Sequence, residues 1–207
     1  MVNGQILTNK VTDDQLASAL LQVPREDFVP KSMRSVAYLD EDIPIAEGRY
    51  LMEPMIFARM LEAVDIEPDM LVLDIGCGTG YSTAVMARLA ASVVALEADP
   101  TIAGKTDEAL TVHGVDNAAV ITGDLAEGCP SQAPFDVIFV NGAVAFVPEA
   151  WKQQLADGGR MILVLREGSV GRAMIFVRSG DAVSSRPLFD ANLPMLTGFE
   201  PQRHFTF

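Results

Sequence analysis

Residues 71–80, Leu-Val-Leu-Asp-Ile-Gly-Cys-Gly-Thr-Gly, restrict the fold more than any other stretch of the chain. A short, nearly continuous apolar run enters a glycine-rich turn, and residues 81–89 then read as a helix. An apolar run of this length is a strand buried on both faces, and a glycine turn straight into a helix opens a parallel α/β unit. The texture repeats: apolar runs at 92–96, 118–121, 137–140 and 161–165 alternate with helical candidates at 101–113 and 148–155. This predicts a doubly wound, mostly parallel sheet covered by helices on both faces. Asp157-Gly158-Gly159 reads as the turn into the fifth run, and residues 173–177 and 188 onward as one or two antiparallel strands.

Before the glycine turn the chain reads differently. Thr12 with Gln15 matches a capping box for a helix reaching Gln22. Pro24 and Pro30 impose irregular chain, and Pro54 suits the first turn of a second helix with Ile56, Phe57, Met60, Leu61 and Val64 at helical spacing. At 207 residues the expectation is a single domain, with a helical, substrate-side extension over 1–65 and a ligand-binding core over 66–207.

In such a sheet, ligands bind beyond the carboxyl ends of the strands, where the first strand turns into its helix. Glycines there let the backbone approach a ligand closely. A dinucleotide turn of the form G-x-G-x-x-G needs a third glycine three residues after the second. Here the glycines are Gly76, Gly78 and Gly80, and Tyr81 takes that third place. Asp74 ends the strand, where a carboxylate reaches a cationic amino group, so the loop favours S-adenosylmethionine over a pyrophosphate. Glu97 closes the next strand, placed for the two hydroxyls of an adenosine ribose. Asp124, after Gly123, has the analogous position for the adenine amino group. Thr79 and Asn141 complete the candidate cofactor set. A dinucleotide-dependent oxidoreductase is the alternative that this loop disfavours.

The formal net charge of −13 opposes a nucleic-acid partner, since phosphate contacts need clustered Lys and Arg that the chain lacks. A protein, peptide or small-molecule acceptor is expected instead. The two cysteines, Cys77 and Cys129, exclude a disulfide scaffold and suit the cytoplasm. The N-terminus has no signal-peptide pattern, and no run approaches the roughly 20 apolar residues of a membrane span. Nothing shows metal-ligand spacing. Cys77 reads as a small filler, His113 and His204 as surface or capping residues, and Met52, Met55 and Met60 as core or pocket lining. Asp40, Glu41 and Asp42 read as a solvated turn.

Residues 24–30 (PREDFVP), 37–45 (AYLDEDIPI) and 48–61 (GRYLMEPMIFARML) resemble the N-terminal part of the protein-L-isoaspartate O-methyltransferases. The glycine loop, Glu97, Gly123-Asp124, residues 133–140 (APFDVIFV) and 154–165 (QLADGGRMILVL) follow in the family's order. The resemblance runs from about Leu16 to Leu165, and the segment after Gly168 has no clear match. It implies a class I, Rossmann-like methyltransferase that moves a methyl group from S-adenosylmethionine to an isoaspartyl carboxylate in protein repair. It also puts the acceptor pocket at Arg49, Tyr50 and Met52. Family members read Gln-Thr-Ile-Ser after the glycine matching Gly48, and the serine faces the acceptor. This chain reads Arg49-Tyr50-Leu51-Met52, and methionine cannot donate a hydrogen bond. The family's Thr-Ala-Ala after the fourth core strand is Asn141-Gly142-Ala143. The acceptor side is therefore expected to be rewritten, with either a different acceptor or a catalytically weak binding or regulatory role.

Overall fold

A computed structural model describes residues 1–6 and 11–201; His204 lies outside the described residues. Nine strands and five α-helices are used below, numbered along the chain. The first helix, α1 (Asp14–Gln22), is capped by Asp13, whose side chain accepts from the Gln15 and Leu16 amides. The capping box expected from Thr12 is thus displaced by one residue: Thr12 instead donates through its amide and hydroxyl to Glu62. Two short 3-10 turns (Arg25–Phe28 and Lys31–Val36) follow the prolines. The extension is not helical throughout, because β1 (Ile43–Ala46) and β2 (Arg49–Leu51) pair as an antiparallel hairpin. Helix α2 (Pro54–Val64) begins with Pro54 in its first turn and ends at Asp65 in the left-handed conformation. It buries Ile56, Phe57, Met60, Leu61 and Val64.

The core is one seven-stranded sheet in the order β5-β4-β3-β6-β7-β8-β9. Its strands are β3 (Leu71–Ile75), β4 (Ser92–Glu97), β5 (Ala118–Thr122), β6 (Phe135–Val144), β7 (Leu155–Glu167), β8 (Val170–Ser179) and β9 (Ala182–Asp190). Pairings through β7 are parallel, while β8 and β9 add as antiparallel strands. Helices α3 (Tyr81–Met86), α4 (Pro100–Val112) and α5 (Glu149–Gln153) fill the crossovers. Both α3 and α5 are shorter than the apolar spacing predicts. Asp157-Gly158-Gly159 lies within β7, where the pairing with β6 slips between Leu155 and Arg160, so the turn is absorbed as a strand irregularity.

Side chains alternate across the sheet, as the period of two requires. Val72, Val137, Phe139, Ile162 and Val164 face the layer holding α1, α2 and α3. Leu73, Ile75, Ile138, Val140, Met161 and Leu163 face the layer holding Trp151. In the first layer the Phe57 ring meets Tyr81 at 5.4 Å and Phe139 at 5.6 Å, which locks α2 against the start of α3. From β3 the chain builds outward through β4 and β5, then returns to the other side of β3 with β6. The switch point, where such sheets bind ligands, is therefore between β3 and β6.

Candidate functional site

Five elements converge at that edge: the glycine loop after β3, the end of β4, the end of β6, the β1–β2 hairpin and residues 191–199. The loop is closely covered. Gly78 has φ +56, and a Cβ there would stand 2.6 Å from Ile45 Cδ1 of the hairpin. A Cβ on Gly76 would stand 3.0 Å from Leu196 Cδ1. The glycines thus admit close packing from above as well as the turn itself.

Asp74 sits beneath the loop on the α3 side and is fully buried. Its Oδ2 accepts from Ser82 Oγ (2.8 Å) and Thr83 Oγ1 (2.6 Å), and its Oδ1 from Asn141 Nδ2 (2.5 Å). Burial outweighs these three donors and raises the carboxyl to about 6, with Glu97 adding repulsion. Asn141 also donates to the Ile75 carbonyl (3.3 Å), so β3 and β6 are stitched at the switch point. The Thr79 hydroxyl donates to the Phe28 carbonyl (2.6 Å). Gly80 is the left-handed residue that starts α3. Asp124 is exposed at the end of β5 and caps its own turn by accepting from the Ala126 amide (2.8 Å).

Glu97 is also fully buried. Its Oε1 accepts from the Ala98 (2.8 Å) and Asp99 (3.2 Å) amides, and its Oε2 from the Gly78 amide (3.1 Å). Arg49 grips both oxygens, with Nε at 3.1 and 3.2 Å and Nη2 at 2.9 Å from Oε1. The sequence places Arg49 on the acceptor side and gives no sign of this partner 48 positions away. Alternation along β2 explains it: Arg49 and Leu51 point inward and Tyr50 outward.

Arg49, Tyr50 and Met52 line a hollow with Asp42, Asn141 and the segment Leu193–Leu196, about 280 Å³ including the part open to solvent. Only about 10 Å³ of it admits a water-sized molecule, so the hollow is close to shut. Met52 is buried. Its carbonyl accepts from Arg25 Nη2 (2.5 Å), while Arg25 Nε donates to the Ala37 carbonyl (2.7 Å). Asp42 is not merely a solvated turn, because it is half-buried and accepts from the Glu53 amide (2.9 Å). Burial, with Asp42 and Asp40 close by, raises the Glu53 carboxyl to about 7. The back wall of the hollow comes from residues 191–199, whose role the sequence left open. Ala143 donates to the Pro194 carbonyl (2.9 Å) and Leu196 to the Ala143 carbonyl (2.8 Å). Leu193, Leu196 and Phe199 are buried, and that apolar spacing was the available signal.

The other sequence candidates are structural. Burial raises the Cys77 thiol well above its usual range, which disfavours the reactive thiolate. His113 is the C-cap of α4 and stacks on Phe28 at 4.9 Å. Among the described residues no cluster of His, Cys, Asp and Glu could hold a metal, and no helix is long and apolar enough to cross a membrane.

This sheet order, with acids ending β3, β4 and β5 around a glycine loop, defines a Rossmann-like methyltransferase of class I. The family model for protein-L-isoaspartate(D-aspartate) O-methyltransferase matches residues 2–190, and the chain belongs to that family of S-adenosylmethionine-dependent methyltransferases. The match extends past both ends of the expected stretch and takes in β8 and β9. Among similar proteins, a protein-L-isoaspartate O-methyltransferase of Koribacter versatilis is 36% identical over 98% of this chain and 93% of its own length. Protein-L-isoaspartate O-methyltransferase 1 of Rhodopseudomonas palustris is 38% identical over 97% of this chain and 82% of its own. A solved protein-L-isoaspartate O-methyltransferase superposes with TM-score 0.83 at 29% identity, covering 96% of this chain and 66% of that one. The structure of a putative protein-L-isoaspartate O-methyltransferase from Plasmodium falciparum, in complex with S-adenosyl-L-homocysteine, shares the fold at TM-score 0.80 and 21% identity, covering 92% of this chain and 94% of that one. Family membership carries methyl transfer over the dinucleotide alternative.

Proposed function

We propose that the chain binds S-adenosylmethionine across the ends of β3, β4 and β5 and methylates an acceptor in the hollow beneath the hairpin, with little activity toward isoaspartyl peptides. The donor set suits the group. Glu97 would take the ribose hydroxyls, Asp74 the amino group and Asp124 the adenine amine, while Gly76, Gly78, Thr79 and Gly80 shape the loop. Asn141 would hold Asp74 in place. The cofactor supplies an electrophilic methyl on a sulfonium, so the protein's task is to align that methyl with the acceptor and exclude water. Arg25 supports this by fixing the Met52 carbonyl, and so the floor of the hollow. The net charge of −13 supports a protein, peptide or small-molecule acceptor over nucleic acid, and cysteine usage supports a cytoplasmic location.

The reading of weak isoaspartyl activity rests on Met52, which by the sequence resemblance stands at the family's serine position and is buried at the hollow. It offers no donor, and Asp42 adds a carboxylate to the same hollow, opposing an anionic acceptor. Loss of one preorganised donor typically lowers rate about 10²–10³-fold. Initial rates on an isoaspartyl peptide at saturating cofactor test this. The parent should turn over at least about a hundredfold below a typical enzyme rate of about 10 s⁻¹, and Met52→Ser should raise the rate. A parent at or above about 1 s⁻¹ would refute the reading of the acceptor side.

A further inference from the structure

The chain's own hairpin lies over the glycine loop and Glu97. The Arg49 guanidinium and the Glu97 carboxylate meet at 2.9 Å, with side chains 7% and 0% exposed. A carboxylate has about four lone-pair sites. Those of Glu97 are filled by Arg49 together with the Gly78, Ala98 and Asp99 amides. None is left for a ribose diol. Ile45 occupies the space over Gly78, and the Thr197 hydroxyl donates to the Gly48 carbonyl (3.3 Å) at the hairpin turn. The closing element is slight, with four residues in β1 and three in β2. A two-stranded hairpin of this size has little stability of its own, so it lifts at a cost set by its contacts.

We infer that Arg49 is an internal competitor for the ribose-binding carboxylate: an adenosyl ligand reaches Glu97 only when the β1–β2 hairpin lifts and the Arg49–Glu97 pair breaks. The inference rests on the reading of Glu97 as the ribose acid. Apparent affinity is then the intrinsic affinity multiplied by the fraction of molecules with the hairpin open. Arg49 thereby sets how much cofactor the site needs. The displaced guanidinium has a new partner at hand, since Asp42 lines the same hollow. The Glu97 carboxylate remains held by three backbone amides when Arg49 leaves, which keeps it oriented and frees a lone pair on Oε2 for a ribose hydroxyl.

Calorimetric titration with S-adenosylhomocysteine tests this on the parent, Arg49→Gln, Glu97→Gln and the double variant, each confirmed folded by thermal melting. Arg49→Gln should bind about tenfold or more tightly than the parent, the low end of the coupling seen for close charge pairs. Glu97→Gln should cost more affinity in the Arg49→Gln background than in the parent, where losing the ribose contact is partly offset by loosening the hairpin. Arg49→Lys keeps the charge but loses the two-pronged grip, and should tighten binding by a smaller factor. This variant decides the matter if Arg49→Gln does not fold. Equal or weaker binding by the folded Arg49 variants, with Glu97→Gln still weakening the parent, overturns the competition and leaves the cofactor site standing. No binding by any of the five proteins overturns the cofactor site and the competition together.

Discussion

Replacing Asp74 by Asn separates what this carboxylate does for stability from what it does for the ligand. In the fold it is fully buried, and its carboxyl is raised from the usual 3.8 to about 6, mainly by desolvation. The folded chain therefore holds this proton more tightly than the unfolded chain. Stability falls as pH rises between about 4 and 6, and the whole penalty is present at pH 7. At about 1.4 kcal/mol per pKa unit, the removable penalty is on the order of 2–3 kcal/mol. An Asn fits the same contacts. Its oxygen accepts from Asn141, and its amide donates to the Ser82 and Thr83 hydroxyls, which rotate to accept. Asp74→Asn should thus be at least as stable as the parent at pH 7. At about 2–4 °C per kcal/mol for a domain of this size, its Tm should rise by several degrees. It should also lose the pH dependence between 4 and 6. The lost charge-assisted contact to the ligand's amino group should weaken binding by about 1.5–3 kcal/mol, roughly ten- to more than a hundredfold. Thermal melts at pH 5 and 7 with calorimetry on S-adenosylhomocysteine read both effects. A variant more than about 1 kcal/mol less stable at pH 7 would refute the desolvation argument, and unchanged ligand affinity would refute the ligand role.

Two further outcomes follow from the same geometry. Gly78→Ala must place a Cβ 2.6 Å from Ile45 Cδ1 at φ +56, so about 1–2 kcal/mol of backbone strain adds to a clash with the hairpin. A melt should show Tm lower by at least about 2–4 °C, and an unchanged Tm would mean that the hairpin does not press on the loop. In the parent, S-adenosylhomocysteine affinity should be level near pH 7, while the ligand's amino group stays charged, and fall by up to about tenfold per pH unit below about 6, as Asp74 takes a proton. The same fall in Asp74→Asn would assign the titration to another group.

The sheet was legible because its strands are buried on both faces and therefore appear as apolar runs broken by glycine, as in Leu71–Ile75 and Ser92–Glu97. Helix α2 was legible because Pro54 and the spacing of Ile56, Met60 and Val64 agree. Asp74 and Glu97 were singled out as candidates from their place at strand ends, yet their partners were not all within reach of the sequence. Ser82 and Thr83 are close in sequence, two polar residues in a wholly buried helix, and could have been linked to Asp74. Arg49 could not be linked to Glu97, since the contact depends on how the hairpin folds over the sheet edge. The hairpin itself was hidden because Ile43, Ile45 and Leu51 are too few, and too interrupted by Pro44, to show a period of two. Residues 191–199 form no regular element beyond an isolated bridge between Ala143 and Met195, so the apolar spacing of Leu193, Leu196 and Phe199 is their one local signal.

A structure of this chain with S-adenosylhomocysteine bound would settle where the ligand sits. The ribose hydroxyls should lie within hydrogen-bonding distance of Glu97, the amino group beside Asp74, and the Arg49 guanidinium off the Glu97 carboxylate. A ligand bound elsewhere, or one seated in the groove with the Arg49–Glu97 pair intact, would contradict the account.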